Sequence, residues 1–228
     1  MLSMLAFVNT GDTVLVPNPG YPAYTTAAKL LGAKIKHYNL KPANGWYPDF
    51  TELEKLAQEK PKIMWVNYPH MPTGAKANTD LFKKLVRFGQ KHQILIAHDN
   101  PYSLILNNEP LSIFSIDGSK ETCLELNSLS KSHRMQGFRV GMVAGHQSLI
   151  KHLLKVKSNY DSGMYLPIQE AATAALSLDE HWYNSTNAVY HKRRNLVFKA
   201  LDLLNCSYTE NTGGMFVWAK IPDYYTDG

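Results

Sequence analysis

The run Gln93-Ile94-Leu95-Ile96-Ala97-His98-Asp99-Asn100-Pro101-Tyr102 sets the architecture. Its residues 94–97 are apolar without alternation, as in a strand covered on both faces, and an acid follows at the carboxyl end. Upstream, behind Asn78 or Thr79 as N-cap, Leu81, Phe82, Leu85 and Val86 recur at helical spacing, which predicts a helix up to Gln93. Asp49 and Glu52 have the spacing of a capping box ahead of Leu53, Leu56 and Ala57. Further β-rich runs lie at 13–16, 33–38, 62–67, 122–127 and 140–144. Strands that alternate with helices need crossover connections, hence a mostly parallel sheet. The expected fold is α/β: a three-layer α/β/α sandwich.

Composition narrows the class. The chain has 228 residues, 44% apolar and 19% charged, which suits a packed core rather than a disordered segment. No unbroken apolar run exceeds five residues, against about 20 for a bilayer span, so no membrane partner is expected. The opening apolar stretch carries no basic leader of the secretory kind, and Cys123 and Cys206 define no disulfide framework, so a reducing cytoplasm is the expected location. The net charge of +5 is spread along the chain; it suits anionic small molecules and gives no ground for a nucleic-acid partner. None of the nine histidines has metal-ligand spacing, so no metal is expected.

The pattern changes near Asn184. Val189, Leu196, Val197, Ala200, Leu201 and Leu204 form one helical stripe, and Lys192, Arg193 and Arg194 fall mostly off it, on what reads as the wet side. Gly213-Gly214 then leads into a strand-like run at 215–220 with no evident partner. The expected division is a large body over 1–182, a connecting helix over 183–204 and the beginning of a smaller domain over 205–228. Met1, Leu2, Met4, Leu5 and Val8 read as a helix without an N-cap, and with the partnerless strand they predict a segment of a longer polypeptide.

In an open parallel sheet, ligands bind at the carboxyl ends of the strands. Asp99 and Tyr102 fall there, as do Ser128-Leu129-Ser130-Lys131, Arg139 and the loops Pro17-Asn18-Pro19-Gly20-Tyr21-Pro22 and Asn67-Tyr68-Pro69-His70-Met71-Pro72-Thr73-Gly74. A lysine that acts as a nucleophilic amine must shed its proton, which costs about 4.6 kcal/mol at pH 7 unless burial or cations help. Arg139 and the serine hydroxyls beside Lys131 suit a bound phosphate. Solvated turns alone would explain each loop separately; a Schiff-base lysine beside a phosphate uses them all.

These motifs, in this order, resemble those of the class I/II pyridoxal-phosphate-dependent aminotransferases of fold type I: Pro-Gly-Tyr-Pro, Pro-Thr-Gly, Asp-x-x-Tyr, Ser-x-Ser-Lys and Gly137-Phe138-Arg139-Val140-Gly141. The resemblance runs from about Met1 to Lys220. It implies an amino-group transfer between an amino acid and a 2-oxo acid, in a homodimer. It implies that Lys131 carries pyridoxal 5'-phosphate and shuttles a proton, and that Asp99 pairs with the pyridine nitrogen. Tyr102 would bond the phenolic oxygen and Tyr21 stack on the ring. Ser128 and Arg139 would grip the phosphate, with Ser130 assisting. Where the family has Asn-Pro-Thr-Gly, this chain has Met71-Pro72-Thr73-Gly74; methionine cannot donate, leaving Tyr102 alone on that contact unless His70 substitutes. The family's further phosphate-binding turn and its substrate-carboxylate arginine have no counterpart here, so weak or no activity is expected of this segment. Other readings of the same features are a C–S β-lyase and a non-catalytic effector-binding module.

Overall fold

The computed structural model describes residues 1–225. The elements run α1 (Leu2–Phe7), β1 (Thr13–Asn18), α2 (Pro22–Leu30), β2 (Lys34–Asn39), α3 (Phe50–Leu56), β3 (Ile63–Asn67), α4 (Thr79–His92) and β4 (Leu95–Asp99). They continue with β5 (Cys123–Ser128), α5 (Leu129–Ser132), β6 (Gly141–Gly145), α6 (Gln147–Tyr160), α7 (Leu166–Leu176), α8 (Glu180–Leu203), β7 (Ser207–Tyr208) and β8 (Ala219–Lys220). All six expected sheet strands form, in the order β2-β1-β3-β4-β5-β6. The first five are parallel; β6 closes the edge antiparallel to β5.

Strand alternation divides the apolar residues between two helical layers, and this is what makes the sandwich. Leu15, Met64, Val66 and Ile96 face α3 and α4, against Leu53, Leu81, Phe82 and Leu85. Val14, Val16, Ile63, Trp65 and Ala97 face α1 and α2, against Met4, Tyr24, Ala27 and Ala28. Each fully buried Val, Leu, Ile, Met or Phe among them contributes roughly 1.5–3 kcal/mol. Helix α4 also approaches the sheet closely at Gly89, where a Cβ would stand 2.7 Å from Thr122 Cγ2 and 2.8 Å from Ile96 Cγ1.

Asn78 caps α4, its side chain accepting from Leu81 N at 2.8 Å. Gln93 closes the helix in the left-handed region, so β4 begins at Leu95 rather than at residue 93. The capping box at α3 is only half present. Asp49 accepts from Thr51 N at 2.8 Å, whereas Glu52 turns to Asn39 instead of its own N-cap.

Two expectations for the C-terminal part are corrected. The strand-like run at 215–220 is regular only over Ala219–Lys220, and it has a partner, Ser207–Tyr208. The preceding backbone spends its donors on the main body: Gly213 N on Gly74 O and Gly214 N on Ile105 O, both at 2.8 Å. Nor is Arg194 on a wholly wet face of α8. Its Nη1 donates to Thr212 O at 2.9 Å, and its guanidinium lies over Phe198. The packed side of α8 carries Tyr183, Thr186, Asn187 and Arg194, while Val189, Leu196, Val197 and Leu204 are exposed. Residues 226–228 of the expected smaller domain lie outside the described residues.

Candidate active site

The strand order reverses direction between β1 and β3, so the loops after these strands part and leave a crevice at their carboxyl ends. Asp99 ends β4 beside it, in register with Asn67 of β3 and Leu126 of β5. Its main chain is fixed from both sides: Asn67 Nδ2 donates to Asp99 O, and Asn100 N donates to Leu126 O, each at 2.7 Å.

The carboxylate of Asp99 lies on the face toward α2. Tyr24, on the first turn of that helix, donates to its Oδ2 at 2.6 Å. Tyr24 is stacked on Trp65 with ring centroids 4.7 Å apart, and Tyr21 meets it edge-on at 5.6 Å. Burial raises the carboxyl's proton affinity, opposed by the Tyr24 hydrogen bond and by His98. Tyr102 is buried beside it; burial, Asp99 and Tyr21 push its phenol up to about 12, so it remains a donor at neutral pH. Tyr102 Oη stands 3.9 Å from Met71 Sδ, a weak acceptor. His70 does not take over from Met71: its Nδ1 is paired with Thr73 Oγ1 at 2.8 Å, deep in the β3–α4 loop.

The turn between β5 and α5 carries the lysine. Ser128 is the N-cap of α5, its Oγ accepting from Ser130 N at 3.1 Å; Ser130 is buried and Lys131 half-buried. Antiparallel pairing sets Ser128 opposite Gly141, and Leu129 N donates to Val140 O, so the segment holding Arg139 runs directly alongside the lysine turn. Arg139 itself adopts φ 57°, a left-handed conformation that costs a non-glycine residue about 1 kcal/mol or more. Its exposed guanidinium donates to Gln136 O at 3.0 Å. Just beyond Lys131 the chain is pinned to α8: Trp182 Nε1 donates to Ser132 O at 3.0 Å, and His133 Nε2 pairs with Tyr183 Oη at 3.1 Å.

The structure thus gathers Tyr21, Asp99 and Tyr102, with Met71 against Tyr102, and places Ser128, Lys131 and Arg139 together at the same end of the sheet. The sequence reading missed Tyr24 and Asn67. The signal for Tyr24 was available, since it stands three residues after Tyr21 behind Pro22 and so shares its helix face. No cluster of His, Cys, Asp or Glu able to hold a metal occurs among the described residues, and none of their helices is long and apolar enough to cross a membrane.

A mostly parallel sheet of this order between two helical layers is the fold-type I core. The chain belongs to the aminotransferase class I and II family, whose model matches residues 1–226. It is 39% identical over 222 residues to LL-diaminopimelate aminotransferases of Dehalococcoides mccartyi and Gloeobacter violaceus, matching 96% of this chain and 57% of each relative. It spans between half and two thirds of the length of these curated relatives. Among solved structures, substrate-bound BacF from Bacillus subtilis superposes with a TM-score of 0.93 at 31% identity, covering 98% of this chain and 57% of that one. A probable N-succinyldiaminopimelate aminotransferase from Thermus thermophilus gives 0.91 at 28% identity, covering 98% and 60%.

Proposed function

We propose that the protein is a pyridoxal-phosphate-dependent aminotransferase moving an amino group between an amino acid and a 2-oxo acid. The carrying observation is the half-buried Asp99 carboxylate at the crevice, held by Tyr24 on one oxygen while no hydrogen-bond donor among the described residues reaches the other. A half-buried acid with one oxygen unpartnered fits a protonated ring nitrogen. The partly exposed Tyr21 and the donor Tyr102 beside it fit the same aromatic group.

In this reading Lys131 binds the cofactor through its amine and afterwards carries the proton to and from the substrate's Cα. Asp99 keeps a proton on the pyridine nitrogen. When bound, the cofactor supplies an electron sink for the negative charge left at Cα. Tyr102 donates to the phenolic oxygen, and Tyr21 covers a ring face, worth roughly 0.5–1.5 kcal/mol beyond burial. Ser128 and Arg139 bind the phosphate with Ser130 beside them; the strained backbone at Arg139 supports that role.

As part of this proposal, residues 1–182 hold the cofactor, 183–204 serve as the connecting helix and 205–228 belong to a smaller domain. The working unit is a cytoplasmic homodimer, for which the exposed Tyr160, Met164, Tyr165 and Leu166 offer an apolar contact. The relatives' names favour an aminotransferase over a lyase or an effector-binding module, and make LL-diaminopimelate the first donor to try.

The test is to add pyridoxal phosphate, reduce with borohydride and map the labelled peptide, alongside conversion of a 2-oxo acid in the presence of LL-diaminopimelate. Labelling of Lys131 supports the reading. Labelling spread over surface lysines, or none, overturns it.

A further inference from the structure

On the face of β4 opposite Asp99 lies a buried polar pair that the proposed chemistry does not use. His98 is fully buried, its ring edge-on to Phe82 with centroids 4.9 Å apart. Its Nε2 is 3.0 Å from Tyr68 O, and its Nδ1 is 3.1 Å from Glu125 Oε2. A carbonyl oxygen can only accept, so Nε2 carries a proton. The same Glu125 oxygen already accepts from Ser112 Oγ at 2.9 Å and Ile113 N at 2.8 Å, the set of contacts a carboxylate takes. A proton on Nδ1 as well satisfies every partner, giving an imidazolium paired with the largely buried Glu125 carboxylate.

Glu125 also reaches past Asp99. Its Oε1 lies 3.5 Å from Asn100 Nδ2, so one side chain on β5 contacts both sequence neighbours of Asp99. Through Tyr68 O, His98 in turn reaches the loop that carries Met71. A pair buried in this manner is costly unless every hydrogen bond is made, and here its bonds converge on the residues flanking one acid. We infer that His98 and Glu125 are positioning residues: as a buried imidazolium–carboxylate pair they lock the carboxyl end of β4 and set a positive charge behind Asp99 that keeps it ionised. The other groups facing Asp99 are Tyr24 from α2 and Tyr102 from the following loop.

The importance of that charge rests on the proposed function, in which Asp99 must be an anion; the pair itself does not. The test therefore uses the cofactor-free chain. With ¹⁵N-histidine labelling, both ring nitrogens of His98 are expected to carry protons in the parent, and only one in Glu125→Gln. With ¹³C-aspartate labelling, the titration midpoint of Asp99 is expected to rise by about one pH unit in His98→Gln, as befits the loss of a nearby cation in a low-dielectric site. Ser112→Ala, which keeps both charges, should leave that midpoint in place. A singly protonated His98 in the parent, or an unmoved Asp99 midpoint in His98→Gln, overturns the inference. If Glu125→Gln fails to fold, the parent's ring nitrogens and His98→Gln still decide it. Lysine labelling by the cofactor is a separate readout, so loss of either result is distinguishable from loss of the other.

Discussion

Tyr24 and Asp99 are 75 positions apart in the chain and joined by a 2.6 Å hydrogen bond. Replacing Tyr24 by Phe keeps the ring stacked on Trp65 but leaves a half-buried carboxylate oxygen without its donor, a loss of about 1 kcal/mol. The expected outcome is a lower urea midpoint in the cofactor-free protein and an Asp99 that titrates at higher pH. Met71 invites the opposite experiment. Met71→Asn would place an amide donor beside Tyr102, and it is expected to tighten pyridoxal phosphate binding about 5- to 10-fold, read by equilibrium dialysis, as one added hydrogen bond predicts. The placement of Asp99, Tyr102 and Lys131 at the carboxyl end of the sheet was legible because each sits in a short motif at a strand end. Tyr24, Asn67 and the true partner of His70 were not, because each depends on a contact that only the folded loops create.

The extent of helix α4 was legible from its apolar period, and the structure settles the cap on Asn78 rather than Thr79. Removing the cap in Asn78→Ala should cost about 1 kcal/mol, measurable as a shift of the chemical unfolding midpoint. Helix α8 was read as a connector, yet its first turn holds the lysine turn and its Asn187 holds Leu104 O and Leu106 N, just beyond Tyr102. For Trp182→Phe, which deletes only the indole donor, faster amide exchange is expected over residues 129–135 with the far-ultraviolet spectrum unchanged. The run at 215–220 was misread for a different reason. Its β-forming residues follow a backbone already committed to Gly74 and Ile105, so regular pairing begins only at Ala219. Periodicity carries no information about such irregular commitments.

The sandwich as a whole was legible because strands buried on two faces leave an unmistakable apolar signature, while the reversed direction of β6 leaves none. One global property follows from a single buried ring. Burial holds the His70 imidazole down to about 4, against about 6.5 in an unfolded chain. Between those values the unfolded state takes up a proton that the folded state refuses, so stability falls as pH drops from about 6.5 toward 4, by up to about 3 kcal/mol. Urea midpoints measured across that window should show the decline, and His70→Asn should flatten it.

The crossing of residues 211–216 over the β3 loop brings Trp218 edge-on to Trp46, centroids 6.0 Å apart. Gly74, at φ 73°, lies directly beneath that crossing, and a Cβ there would come within 2.6 Å of Thr212 Cβ. Coupled indoles give a paired near-ultraviolet circular dichroism band, so the molecule contains an optical gauge of whether its C-terminal arm is seated. That band should vanish in Trp218→Phe and fade in Gly74→Ala, letting docking of the arm be followed in real time without any attached dye.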